Sequence, residues 1–453
     1  MKYTLQNHQH SKIYLFVIFT LLLKFSLLPF AQTVNADAVS RIFSSINWMQ
    51  NPIWITNSVW APFHFYINGF GLLIWNNPII TPKIINILFS SFTLIPFYFF
   101  TKREFNKDGA FIATIFLAIS PILFRNSFLA LSETHYLFFL ALTINLLSKG
   151  LRENSNLYTL LSGLSITIAS GIRYEAWIII GIFGLIICLL KRWKFFFLFN
   201  IFALLFPFYW LFISWMETGN PLFGIEGTYH WALEVMGNND HLDFESYLRR
   251  IWYFPFSWII AVGIPVAFII LKTIYTSYAK KSFNQLYILY SLPFFIMFLF
   301  FQYNTFKGVL LLQHRYVGTL VILSLPFIAV YFNELTPKKI KLAVLFGGLT
   351  ILLSFFYNTS DIIPVPRLEN QSGVEISQLI KNNTNEKSCL ILDFVGWDNT
   401  YFIALNSEIP QERMVITEGA KNSMVNYQEI NTKIDFFENG TILLKIDSEL
   451  YHH

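Results

Sequence analysis

The sequence predicts an α-helical polytopic membrane protein with a small polar α/β unit at its C-terminal end, and three observations carry that prediction. Of 453 residues, 55% are hydrophobic and only 13% are charged, about half the charge of an ordinary soluble chain, roughly 25%. Apolar runs approaching the roughly twenty residues that cross a bilayer recur along the chain as far as residue 357. Beyond residue 358 the composition turns polar. Together these exclude a water-soluble globule, a disordered chain and a fibrous repeat. The net charge is +5, but the Lys and Arg residues sit mostly in short loops between apolar runs, so nucleic acid is not the expected partner. Two cysteines, Cys188 and Cys389, leave neither a disulfide framework nor a cysteine metal site.

Taken in order, the apolar runs lie near 12–31, 83–100, 109–125, 128–148, 157–171, 176–190, 195–215, 251–271, 284–301, 310–332 and 341–357, eleven expected spans. The fifth and sixth are short and share the hinge Gly171-Ile172-Arg173-Tyr174-Glu175. With the N-terminus placed in the cytoplasm, sixteen Lys and Arg fall on the inner side and eight on the outer. That asymmetry favours this orientation and, with eleven spans, an extracytoplasmic C-terminus. The expected setting is the cytoplasmic membrane of a bacterium or archaeon. A cleaved signal peptide is the rival reading of the first run. Its apolar stretch, Ile13 to Phe30, exceeds the 7 to 15 residues of a signal core.

Residues 1–358 form the expected transmembrane unit, with outer segments at 32–82 and 216–250, and residues 359–453 the extracytoplasmic unit. Within 32–82, Val39, Ile42, Phe43, Ile46 and Met49 recur at helical spacing, which predicts an amphipathic helix on the outer membrane surface. Trp60 to Trp75 is too short to span and is expected to lie interfacially or re-enter. The 216–250 segment reads as a lid or rim. Cys389-Leu390-Ile391-Leu392 and Thr441-Ile442-Leu443-Leu444 read as strands.

Several polar residues stand at outer span ends. Asp37 follows the first span and either caps the amphipathic helix or serves as a base. Glu133 interrupts an apolar run, where an ionisable group costs about 3 kcal/mol if central, so it is either a structural hydrogen-bonding group or functional. Arg173 and Glu175 can pair across the hairpin, while His314 and Arg315 stand at the end of the tenth span, where an arginine can simply snorkel. Under one topology Asp37, Arg125, Glu133, Arg173, Glu175 and Arg315 share the outer boundary. Arginines there can hold a phosphate while a carboxylate acts as general base. His64 is a further candidate, as metal ligand or donor. No Walker loop, His-rich cluster or nucleophile elbow occurs.

In order and spacing the chain resembles the multi-spanning type-C glycosyltransferases that use polyprenyl-phosphate sugars, in the branch of protein mannosyltransferases and lipid A aminoarabinose transferases. The resemblance rests on Asp37 after the first span, Trp60-Ala61-Pro62-Phe63-His64, Lys102-Arg103-Glu104-Phe105, Ile119-Ser120-Pro121, Ala130-Leu131-Ser132-Glu133, Arg173-Tyr174-Glu175, Gly219-Asn220-Pro221-Leu222-Phe223, and Arg315-Tyr316 with Pro326. It covers most of the first 330 residues. It implies the type-C fold, a polyprenyl-phosphate sugar donor, and a lipid, glycan or protein acceptor at the outer face. It also implies Asp37 as catalytic base, Arg125, Arg173 and Arg315 on the donor phosphate, and Glu133, Glu175, His64 and His314 in support. Inversion at the sugar follows from a single displacement. A divalent metal is an open possibility for the family. The second acid that some members carry beside the first is replaced here by Ala38. The alternative from another class is a transporter or flippase of lipid-linked sugars, which would need the phosphate ligands but no base.

Overall fold

In the computed structural model the described residues are 2–31, 35–56, 60–230, 233, 244–279, 288–358, 368–384, 389–393, 403–410, 413–417 and 441–444. Each expected span coincides for most of its length with helix among the described residues. The first run is α1 (Lys2–Leu27), closed by a 3-10 turn at Leu28–Phe30, and two further helices follow it, α2 (Ala36–Gln50) and α3 (Phe63–Ile74). The second run is α4 (Ile80–Phe92) with α5 (Leu94–Glu104), and the third is α6 (Lys107–Ala118) with α7 (Pro121–Asn126). Then come α8 (Glu133–Glu153), α9 (Asn156–Ser170), α10 (Glu175–Leu189), and the bent pair α11 (Trp193–Ala203) and α12 (Leu205–Thr218). The short α13 (Phe223–His230) lies in the 216–250 segment, of which residues 231, 232 and 234–243, among them Asp240, His241 and Asp243, fall outside the described set. After it run α14 (Phe244–Val262), α15 (Ile264–Ala279), α16 (Ile288–Phe306), a 3-10 turn at His314–Val317, α17 (Gly318–Ser324), α18 (Pro326–Tyr331) and α19 (Pro337–Asn358).

By length and composition five of these stretches are apolar enough to cross a membrane unaided, and counting the two bent pairs makes seven. The breaks have local causes. Pro121 and Pro326 open α7 and α18, because proline lacks the N–H that a continuing helix needs. The expected straight span at 251–271 is corrected: α14 and α15 meet at 103°. Gly263 makes the corner with φ +87°, and a Cβ there would stand 2.8 Å from Thr350 Oγ1, so only glycine serves.

Two ends of the bundle are tied by polar groups. At one end Arg103 bonds Glu104 at 2.9 Å and the Asn145 carbonyl at 2.6 Å, and Arg152 reaches Glu104 at 3.4 Å. At the other end Lys83 donates to the Ala31 carbonyl, and Arg250 to the Thr305 carbonyl at 2.7 Å. Lys24, the single charge inside the first span, meets Ser90 of α4 at 2.9 Å.

Beyond α19 come α20 (Leu368–Asn383) and strands β1 (Cys389–Asp393), β2 (Met414–Thr417) and β3 (Thr441–Leu444), a parallel sheet in the order β2-β1-β3. Both expected strands are present, and β2 is an addition. Leu390, Leu392, Ile403 and Leu405 share one buried apolar cluster with Ala38, Val39, Ile42 and Phe43 of α2 and with Leu129 and Leu131. This corrects the expectation that α2 lays that face on the membrane: its apolar stripe is buried by protein, and the polar C-terminal segment supplies the cover.

Candidate active site

Three carboxylates stand in first turns of helices: Asp37 in α2, Glu133 in α8 and Glu175 in α10. An acid is stabilised at a helix N-terminus by the free amides and the dipole. The cap of α2 is Asn35 rather than Asp37, since its side chain accepts from the Asp37 amide at 3.1 Å. That leaves the Asp37 carboxylate available.

Two guanidiniums join these acids into one chain of ions. Arg315, in the 3-10 turn before α17, pairs with Asp37 and lies 3.2 Å from Glu133 through Nε. Arg173, in the hinge before α10, bonds Glu133 at 2.9 Å, Glu175 at 2.6 Å and Ser132 at 3.0 Å. Tyr316 lies beside both, its ring 5.2 Å from Arg173 and 5.5 Å from Arg315. A narrow cavity lined by Glu133, Tyr136, Arg173, Arg315, Tyr316 and Thr319 adjoins the network. Ala130 precedes Glu133 closely and holds the left-handed value φ 54°. Such strain persists where surrounding structure imposes it, here in the Leu129-Ala130-Leu131 strap that delivers Glu133.

Exposure separates the acids. Side-chain accessibility is 26% for Asp37, 17% for Glu175 and 4% for Glu133. Asp37 is therefore the carboxylate best placed to meet a substrate, and Glu133 is the buried hub. Burial pushes the Asp37 carboxyl up, but Arg315, with help from Arg41 and Arg173, pulls it further down, so it titrates below the ordinary carboxylate value.

Of the expected residues, Asp37, Glu133, Arg173, Glu175 and Arg315 come together. Three others do not join the chain. His64 is fully buried in α3, bonded to Asn68 at 3.2 Å with its ring edge-on to His135 at 4.9 Å. His314 stacks on Tyr253 at 4.8 Å and bonds Ser257 at 2.6 Å. Arg125 acts electrostatically on His314. Adjacency in sequence misled here, because successive residues of a 3-10 turn point different ways, and His314 turns from the acids that Arg315 meets. The residue missed is Arg41, four positions after Asp37 and on the same helix face. That spacing was the available signal.

No three His, Cys, Asp or Glu side chains gather as a metal site among the described residues. Each network carboxylate is also bonded to a guanidinium. Among the described residues the donor set thus offers arginines to an anion rather than a gathered set of ligands to a divalent cation.

The sequence model of the family Dolichyl-phosphate-mannose-protein mannosyltransferase matches residues 59–213. ArnT of Cupriavidus metallidurans bound to undecaprenyl phosphate has the same fold, with TM-score 0.68 and 12% identity over 96% of this chain and 93% of that one. The apo oligosaccharyltransferase of Archaeoglobus fulgidus superposes with TM-score 0.56 and 14% identity, over 94% of this chain and 68% of that one. No curated protein sequence matches the chain. The chain therefore has the fold seen in ArnT and in the archaeal oligosaccharyltransferase, and its residues 59–213 resemble the mannosyltransferase family.

Proposed function

We propose that this protein transfers a hexosyl or pentosyl group from a polyprenyl-monophosphate carrier to an acceptor hydroxyl at the extracytoplasmic membrane face, with inversion at the anomeric carbon. The acceptor is a lipid, a glycan or a protein. The observation that supports this reading is the ion chain itself. Asp37, Arg315, Glu133, Arg173 and Glu175 come from four separate parts of the sequence and meet at one end of the bundle. The helices α2, α8 and α10 begin at this chain, so their positive ends add to the arginines in favouring an anion. The similar ArnT structure holds undecaprenyl phosphate, a carrier of the proposed class.

In the proposed reaction the acceptor oxygen attacks the anomeric carbon while Asp37 takes its proton. The bond between that carbon and the phosphate oxygen breaks, and its electron pair stays on the phosphate. Arg315 and Arg173 balance the charge that develops there. Glu133 positions both guanidiniums and does not exchange protons with substrate, since it is only 4% exposed. The basic asymmetry of the loops supports a cytoplasmic N-terminus, and the division at residue 358 supports an extracytoplasmic C-terminal unit that packs over α2. The test is incubation of purified protein with a panel of polyprenyl-phosphate sugars, with detection of released polyprenyl phosphate. Release from at least one donor is expected, and release from none would overturn the reading.

A further inference from the structure

Arg41 is 9% exposed, and its guanidinium stacks over the Trp60 ring with 4.5 Å to the centroid. Its Nη1 has no hydrogen-bond partner among the described residues. Asp37, Glu133, Arg173 and Arg315 all lie within its electrostatic reach. The contrast with the other two arginines is one of commitment. Arg173 is bonded to Ser132, Glu133 and Glu175, and Arg315 is bonded to Asn35 and Asp37 and ion-paired with Glu133. Those two guanidiniums carry the ion pairs of the network, and Arg41 adds the third cation that balances its three carboxylates without an ion pair of its own among the described residues. A buried donor without a partner is costly in a native protein, and such a group calls for an explanation, of which a ligand position is one. Stacking on Trp60 fixes the guanidinium plane, and its buried Nη1 could meet an oxyanion only once the donor opens the site beside it.

We propose that Arg41 is a direct ligand of the donor's phosphate: the phosphate docks on the unpaired Nη1 edge and then draws Arg315 away from Asp37, so that the base is released only when a donor is seated. The inference rests on the glycosyltransferase reading above and adds to it an order of events. A second anion beside Arg315 competes with Asp37 for the same N–H groups, and Arg41 is what holds that anion in place. Premature deprotonation of an acceptor or of water is thereby suppressed in the donor-free protein.

The experiment uses the full-length protein in nanodiscs as parent, Arg41→Gln and Arg41→Lys. Undecaprenyl phosphate serves as the binding probe, and the donor found active with the parent as substrate. Arg41→Gln is expected to weaken probe binding and raise the donor KM at least tenfold, with kcat changed less. Arg41→Lys, which keeps the charge and loses the fork, should fall between Gln and parent. In the parent, the acid limb of kcat should lie at higher pH than that of kcat/KM for the donor, because Arg315 has left Asp37 in the bound state. Parent-like binding by Arg41→Gln, a loss that Lys does not relieve at all, or coincident acid limbs would overturn the inference while parent turnover upholds the glycosyltransferase reading. A parent that neither binds the probe nor uses any donor overturns both. If Arg41→Gln is not recovered folded, Arg41→Lys alone decides: binding equal to the parent counts against the proposal, and a several-fold loss supports it.

Discussion

Replacing Arg315 by alanine removes the guanidinium that bridges Asp37 and Glu133. Arg315 is 8% exposed and Glu133 4%, so the Glu133 half of the bridge is a buried pair. Removing one partner of such a pair costs about 3–5 kcal/mol. Asp37, at 26% exposure, recovers part of its solvation and adds little. The lower end, about 3 kcal/mol, is the expected loss, because Arg173 still holds Glu133 at 2.9 Å. Against a typical stability of about 5–15 kcal/mol this leaves a folded protein that melts early. Turnover should fall further, by roughly 100- to 1000-fold, the scale for losing a preorganised donor to developing charge. Arg315→Lys can serve only one of the two carboxylates, so it should restore part of both quantities. Thermal unfolding in detergent and release of polyprenyl phosphate measure the two losses. An alanine variant with parent stability and parent turnover would reduce Arg315 to a residue snorkelling at the membrane edge and refute the reasoning.

The pH dependence follows from the same pair. Since Arg315 holds Asp37 below the ordinary carboxylate value of about 3.9, kcat/KM for the donor should stay level on acidification until below about pH 4. The stability that the pair contributes is present above that value and is lost as pH falls through the lowered one. An acid limb near pH 6 would contradict this. Gly109 of α6 lies against α18, where an added Cβ would stand 2.3 Å from the Ala329 carbonyl oxygen and 2.6 Å from its Cα. Gly109→Ala should cost about 1–3 kcal/mol in thermal unfolding, and an unchanged midpoint would show that α6 and α18 part easily. The proposed orientation places Cys389 outside, so a membrane-impermeant thiol reagent should label it in spheroplasts and spare Cys188. Labelling of Cys389 only after lysis would reverse that orientation.

The helices were legible because membrane-crossing runs are written in composition, and each of the eleven runs lies for most of its length on helix. Their internal breaks at Thr93, Gly263 and Leu325 were less so. A corner such as Gly263 depends on what packs beside it, here Thr350, almost ninety positions away. Asp37, Glu133, Arg173, Glu175 and Arg315 could be named one by one as charges in apolar company. Their pairing could not, since Arg315 meets Asp37 across 278 positions. Arg41 was visible only as one more basic residue. What draws attention to it is its stacking on Trp60 beside the ion chain, with Nη1 unpartnered among the described residues, and that juxtaposition exists only in the fold. His64 erred in the other direction: the motif-like Trp60 to His64 stretch suggested function, while the fold buries the ring against His135 and Asn68.

The central claim is that Asp37 is the general base, and the Asp37→Asn variant tests it most directly. Asparagine keeps the shape and can still accept from Arg315, but it cannot take the acceptor's proton. With the Arg315 pair weakened, that guanidinium is freer to meet a phosphate. The variant should therefore fold, insert and bind undecaprenyl phosphate at least as tightly as the parent, while release of polyprenyl phosphate from the sugar donor slows by roughly 100-fold or more. Turnover within a few-fold of the parent, with donor binding intact, would contradict the account and pass the role to another group.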